Sequence, residues 1–120
     1  MAYCHCIDCR RWTGAPLPAF AAIQHQSIQF SHTVEWRSHV KGVERVNCPD
    51  CGSPMAARFD YLPDQIYLPV GVLDQAALYP SQSHCHTDAR LSWLHINDEL
   101  PTSAASGRAR LLSSEPVDGT

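Results

Sequence analysis

Two short cysteine clusters constrain this chain more than any other feature. CHCIDC places Cys4, Cys6 and Cys9 in a C-x-C-x-x-C pattern, and CPDCG places Cys48 and Cys51 in C-P-x-C-G form. Five of the six cysteines fall in these clusters, and Cys85 stands alone. Any fold the chain adopts must gather thiols in small groups and hold the backbone between them in tight turns. In a reducing compartment, grouped thiols are metal ligands or redox groups rather than structural bridges.

The second cluster reads as half of a tetrahedral cysteine site. Pro49 sets the turn, Cys48 and Cys51 point at one centre, and Gly52 permits the left-handed backbone that turns amide hydrogens toward sulfur. A redox C-x-x-C pair would open a helix inside a βαβ unit, whereas both flanks here read as strand. In the first cluster, Cys4 and Cys6 leave one face of an extended segment and Cys9 returns to that face after a turn. Three thiolates can then converge on one ion and leave a fourth position open, the arrangement of a catalytic zinc site. Two other readings stay open: a mixed site that borrows Cys48 or Cys51, and cysteines that only fill the core.

Arg10 and Arg11 follow the first cluster, where positive charge lowers a thiol pKa and can pair with a carboxylate of a substrate. Trp12 offers an apolar wall, and Arg45 a contact at the rim. His5, between the first two thiols, reads as a surface histidine. In SQSHCHTD, alternation would put His84 and His86 on one face of an exposed edge strand, with Cys85 as a small buried hydrophobe.

Around these motifs the sequence is mainly β. Residues 17–24, 27–31, 33–38, 42–47, 55–62 and 66–73 form short apolar or alternating runs. Prolines mark nearly every junction and argue against long helices. Helical turns are expected only at 8–13 and 74–77. Trp36, Phe59, Trp93, Ile96 and Leu100 read as core, with Asp98 turning the chain ahead of Pro101. With 120 residues, a net charge of −3 and 18% charged residues, the chain reads as one soluble domain with no footprint for nucleic acid or an anionic membrane. It has neither a bilayer-length apolar run nor a signal peptide, so the expected compartment is the cytoplasm. The Ser-, Ala- and Gly-rich residues 102–120 read as a peripheral tail to a domain at 1–101.

Taken together, AYCHCIDCRRWTGAP, RVNCPDCGSPMAAR and the W-x-x-I-x-D-x-L-P ending at 93–101 resemble the glutathione-dependent formaldehyde-activating enzyme family, to which centromere protein V is related. The resemblance implies a β-tent fold of antiparallel strands with two zinc sites. It assigns the catalytic zinc to Cys4, Cys6 and Cys9. The structural zinc would take Cys48 and Cys51 together with a C-x-C pair on a preceding strand that this sequence lacks. It implies a zinc-dependent carbon–sulfur lyase that joins glutathione, or another small thiol, to formaldehyde, or another aldehyde, as S-hydroxymethylglutathione. Arg10, Arg11 and Trp12 would contact the substrate. The missing pair raises two expectations: that Met1 marks a mis-chosen start or a truncation, and that an unpaired sheet edge makes a homodimer. It also sustains two competing readings, a non-catalytic zinc module that binds a partner and an inactive relative.

Overall fold

The computed structural model describes residues 1–31 and 33–106. The mainly β expectation holds. Seven strands form one sheet: β1 (Ala2–Cys4), β2 (Ala19–Gln24), β3 (Arg37–Val40), β4 (Val43–Asn47), β5 (Pro54–Phe59), β6 (Gln65–Pro69) and β7 (His84–Cys85), in the order β3-β4-β5-β6-β2-β1-β7. All pairings are antiparallel except β1 with β7. One helix, α1 (Ile7–Thr13), lies between β1 and β2.

Strand register sorts the side chains onto two faces. Val46 pairs with Ala56, and Ile66 with Ile23, on the face where Val46, Ala56 and Ile66 form the buried core. That face is covered by the segment after β2, whose Ile28, Phe30, Val34 and Trp36 pack against it. On the other face, Arg45 pairs with Ala57, Ala57 with Tyr67, and Tyr67 with Ala22, so the four form a row across four strands. Phe20, two residues before Ala22, shares this face and pairs with Ala2. Cys4, two residues beyond Ala2, shares it too.

Several local expectations change. Residues 27–31 do not form a strand: after a 3₁₀ turn at His25–Ser27, the alternating Ile28 and Phe30 cross over the core instead of joining the sheet. The turn expected at 74–77 is a 3₁₀ turn at Ala76–Leu78. Trp36 does join the core, edge-on to Phe30 and beneath the Arg58 guanidinium at 4.0 Å. Trp93, by contrast, is 61% exposed, because the chain from 91 to 101 runs outside the sheet. Residues 101–103 instead flank β7, where the His84 amide donates to the Pro101 carbonyl and the Ser103 amide to the His84 carbonyl. Of the expected tail, 107–120 lie outside the described residues. No described helix is long and apolar enough to cross a membrane.

Candidate metal centre

The first cluster is built by the junction of a strand and a helix. Cys4 ends β1, Cys6 is the N-cap of α1, and Cys9 sits in its first turn. Cys6 has extended backbone angles, and its sulfur accepts the Cys9 amide hydrogen at 3.3 Å, in the way a serine or aspartate caps a helix. Asp8 adds negative charge to the first turn. Gly14 ends the helix at φ 72°, donating to the Arg10 carbonyl at 2.8 Å, a conformation that favours glycine. The three ligand sulfurs lie within 4.8 Å of one another. Among the described residues this is the one group of three or more His, Cys, Asp or Glu side chains so arranged.

Electrostatics divide the three thiols. Contacts from the Cys4 and Cys9 thiols, opposed by burial but aided by the Cys9 amide and the His86 charge, pull Cys6 far below the ordinary thiol range. Cys4 is pushed up by its contacts with Cys6 and Cys9 and by burial. For Cys9, the Cys4 contact pulls downward, but the Cys6 contact, burial and the Cys6 charge outweigh it and push the thiol up to about 12. The contacts within the cluster thus favour the thiolate at Cys6 and the thiol at Cys4 and Cys9. A cation that displaces their protons would relieve that arrangement, as soft thiolate sites do for zinc.

Around this centre lie Tyr61 and Tyr67, which the sequence did not single out, and Arg45, which it placed at the rim. Tyr61, just past β5, is pushed up to about 12 by burial and by the charges of Cys4, Cys6, Cys9 and Cys85. The Tyr67 hydroxyl is shielded from solvent without a hydrogen-bond partner, as are Nη1 and Nη2 of Arg45. Such orphaned buried donors are rare in native proteins. Nothing local marks them; they share a face only through the non-local register of β4, β5 and β6.

The remaining site expectations fare differently. Arg10 is partly buried and Arg11 exposed, on the last turn of α1, and no ion pair among the described residues engages either. Trp12 is heavily engaged: its ring stacks on Phe20 at 6.1 Å, lies 4.4 Å beneath the Arg45 guanidinium, and its indole N–H donates to Asn47 at 3.0 Å. His5 is a correction. It is 2% exposed, because its Nε2 meets Nδ1 of the equally buried His84 at 2.8 Å. His84 is therefore no exposed edge residue: its Nε2 reaches Asp98 at 2.9 Å. His86 leaves the strand in a left-handed conformation, φ 56°.

Cys48 and Cys51 occupy the turn between β4 and β5. The Cys48 amide donates to Ser53 and the Gly52 amide to Cys48, both at 2.8 Å, and Gly52 holds φ 79°, so the knuckle forms as its spacing implies. Cys51 is exposed, and the Ser53 hydroxyl, 3.2 Å from its sulfur, draws its thiol below the ordinary range. Neither sulfur joins the Cys4 group, so the mixed-site reading finds no support among the described residues.

The model of the family described as glutathione-dependent formaldehyde-activating enzyme matches residues 1–89. That span includes both cysteine clusters and all seven strands, and ends before the 93–101 motif. No curated protein matches the chain.

Proposed function

Because the chain belongs to the glutathione-dependent formaldehyde-activating enzyme family, we propose that it is a zinc-dependent carbon–sulfur lyase of the cytoplasm. Its substrates would be glutathione, or another small thiol, and formaldehyde, or another aldehyde. One observation carries the reading: the convergence of the Cys4, Cys6 and Cys9 sulfurs within 4.8 Å, three soft donors with no fourth His, Cys, Asp or Glu ligand beside them among the described residues. A closed structural site has four protein ligands, and a catalytic one keeps a position for substrate.

The donor set fits zinc, which Cys4, Cys6 and Cys9 would hold and which would supply Lewis acidity and a low-pKa environment for a thiol. In the forward direction the thiol S–H bond breaks, a carbon–sulfur bond forms, and the proton ends on the former carbonyl oxygen to give S-hydroxymethylglutathione. Arg10 and Arg11, on the last turn of α1 and outside the ion pairs among the described residues, would orient the carboxylates of glutathione. Trp12, fixed by Phe20 and Asn47, would close the apolar side. Cys48 and Cys51 would hold a second, structural zinc with ligands from outside the described residues. A second copy adding to the fully exposed β3 edge would make a homodimer.

Glutathione and formaldehyde combine unaided, so the test is a rate above background. Exchange NMR should show faster interconversion of free glutathione and its adduct with the zinc-loaded protein, and the background rate with Cys9→Ala. If the wild-type protein leaves the rate at background while zinc still raises its melting temperature, the non-catalytic module replaces the enzyme. Light scattering that finds only monomer at high concentration overturns the dimer.

A further inference from the structure

Arg45 is part-buried, and no ion pair among the described residues gives it an anion. Its Nη1 and Nη2 are sealed from solvent and find no hydrogen-bond partner among the described residues. Ion pairs among the described residues join Arg37 to Glu35, Arg58 to Glu44 and His84 to Asp98, leaving Arg45 out. The adjacent acid, Glu44, projects from the opposite sheet face and is held by Arg58 in two bonds of 3.0 and 3.1 Å. Trp12, 4.4 Å below the guanidinium, offsets part of the burial through its ring face. A lone buried charge is otherwise unfavourable, and removing its partner destabilises a protein strongly. An anionic centre beside the guanidinium would supply the partner.

Such an anion is within reach. Arg45 lies on the sheet face that carries Cys4, and its guanidinium stacks on Trp12, one turn beyond Cys9 on α1. Three thiolates around a divalent ion leave one net negative charge. We propose that Arg45 is the built-in counter-charge of the metal-loaded Cys4–Cys6–Cys9 centre, a positioning residue that makes the loaded centre neutral overall. The inference rests on the reading of these cysteines as metal ligands. It has a consequence for specificity: a centre left net negative would repel an incoming thiolate, whereas one neutralised by Arg45 admits thiols whether or not they carry a carboxylate.

Cobalt(II) is the probe, read by its sulfur-to-metal charge-transfer absorption in the full chain, with circular dichroism confirming the sheet in each variant. Arg45→Met and Arg45→Gln should weaken cobalt binding about 10–100-fold, in the range for residues that tune a centre from outside its ligands. Arg45→Lys should restore it to within a few-fold. The metal-free Arg45→Met protein should melt no lower than wild type, since it has lost an unpaired buried charge, while its gain on adding cobalt shrinks. The spectral change on adding 2-mercaptoethanol, which has no carboxylate, should weaken in step with that for glutathione.

Equal cobalt affinity in wild type and Arg45→Met overturns the inference. So does loss of the glutathione response alone, which would make Arg45 a carboxylate anchor. A wild-type chain with no charge-transfer band overturns the metal reading and this inference with it, whereas a normal band unchanged by the variants overturns only the inference.

Discussion

The two cysteine clusters share a residue type and little else. Cys4, Cys6 and Cys9 are drawn from a strand end and a helix cap, share one face of the sheet, and have as neighbours Tyr61 and the unsatisfied donors of Arg45 and Tyr67. Cys48 and Cys51 sit on a hairpin turn closed by its own backbone hydrogen bonds, with Cys51 exposed. The first is an incomplete environment that a ligand would finish; the second is a complete turn with one exposed thiol, Cys51, and one part-buried, Cys48. Chemistry needs the former, because orphaned donors and a free ligand position are what a substrate can use. Scaffolding needs only the latter.

Removing a ligand separates them most sharply. Cys9→Ala should empty the first centre and remove one zinc per chain, measured by plasma mass spectrometry on protein purified without added metal. Cys51→Ser should leave that ion in place. If Cys51→Ser also strips it, the two clusters share a metal after all and the contrast between them is wrong.

The next largest effect concerns the bridge between the clusters. Trp12, on the helix of the first, donates to Asn47, whose own amide donates to the Gly52 carbonyl of the second at 3.0 Å. Trp12→Ala removes the stack on Phe20 and the platform beneath Arg45, and should cost about 3–5 kcal/mol in urea unfolding, as large aromatic truncations do. Asn47→Ala breaks only the hydrogen bonds, for about 1 kcal/mol. Equal losses would mean that Trp12 acts through Asn47 alone and that its ring supports nothing.

How far this contrast was legible in the sequence depends on whether a feature is local. The C-P-x-C-G turn is local, and it forms as its spacing implies. The convergence of Cys4, Cys6 and Cys9 is nearly so, since a strand, a cap and a helical turn occupy nine consecutive residues. Alternation at 42–47, 55–62 and 66–73 revealed strands because one side of each packs on the core. The same alternation at 27–31 misled, since periodicity reports an apolar face and not whether the backbone has a strand to pair with. His5 and His84 read as surface residues because a histidine is buried only when it finds a partner. Theirs, each other and Asp98, lie far apart in sequence. Arg45 was legible from the sequence only as a contact at the rim; its shared row with Tyr67 runs through β5, so Tyr67's relation to the cysteines appears with the register and not before.

Thiol reactivity gives a smaller but cleaner distinction. In metal-free protein, iodoacetamide should label Cys51 first and Cys9, 3% exposed, last, as peptide mapping would show. The Ser53 hydroxyl favours the Cys51 thiolate, so its labelling at neutral pH should exceed that of an ordinary exposed thiol. Ser53→Ala should slow it without changing the first cluster. Labelling of Cys9 ahead of Cys51 would show that the buried cluster opens more readily than the hairpin.

The smallest expected effect tests a support that only the first cluster has. The His5 backbone joins two of its ligands, and the side chain is backed by His84 and then Asp98, a chain of 2.8 and 2.9 Å contacts with no counterpart near Cys48. Asp98 is held below the usual carboxylate range by its hydrogen bond from His84, which outweighs an opposing desolvation, with help from the Leu100 amide and the charges of His84 and His5. A carboxyl group whose folded pKa is depressed adds stability that is present above its unfolded value, about 3.9, and is lost as pH falls through the folded value. Asp98→Asn keeps an acceptor for the Leu100 amide but loses the charge facing His84. The variant should therefore melt lower than wild type at neutral pH, and the gap should close as the pH is taken below about 4. Melting curves of both proteins without metal across that range measure it. A gap that stays constant with pH would mean Asp98 matters for shape and not for charge, and the buried histidine pair would then owe its place to packing alone.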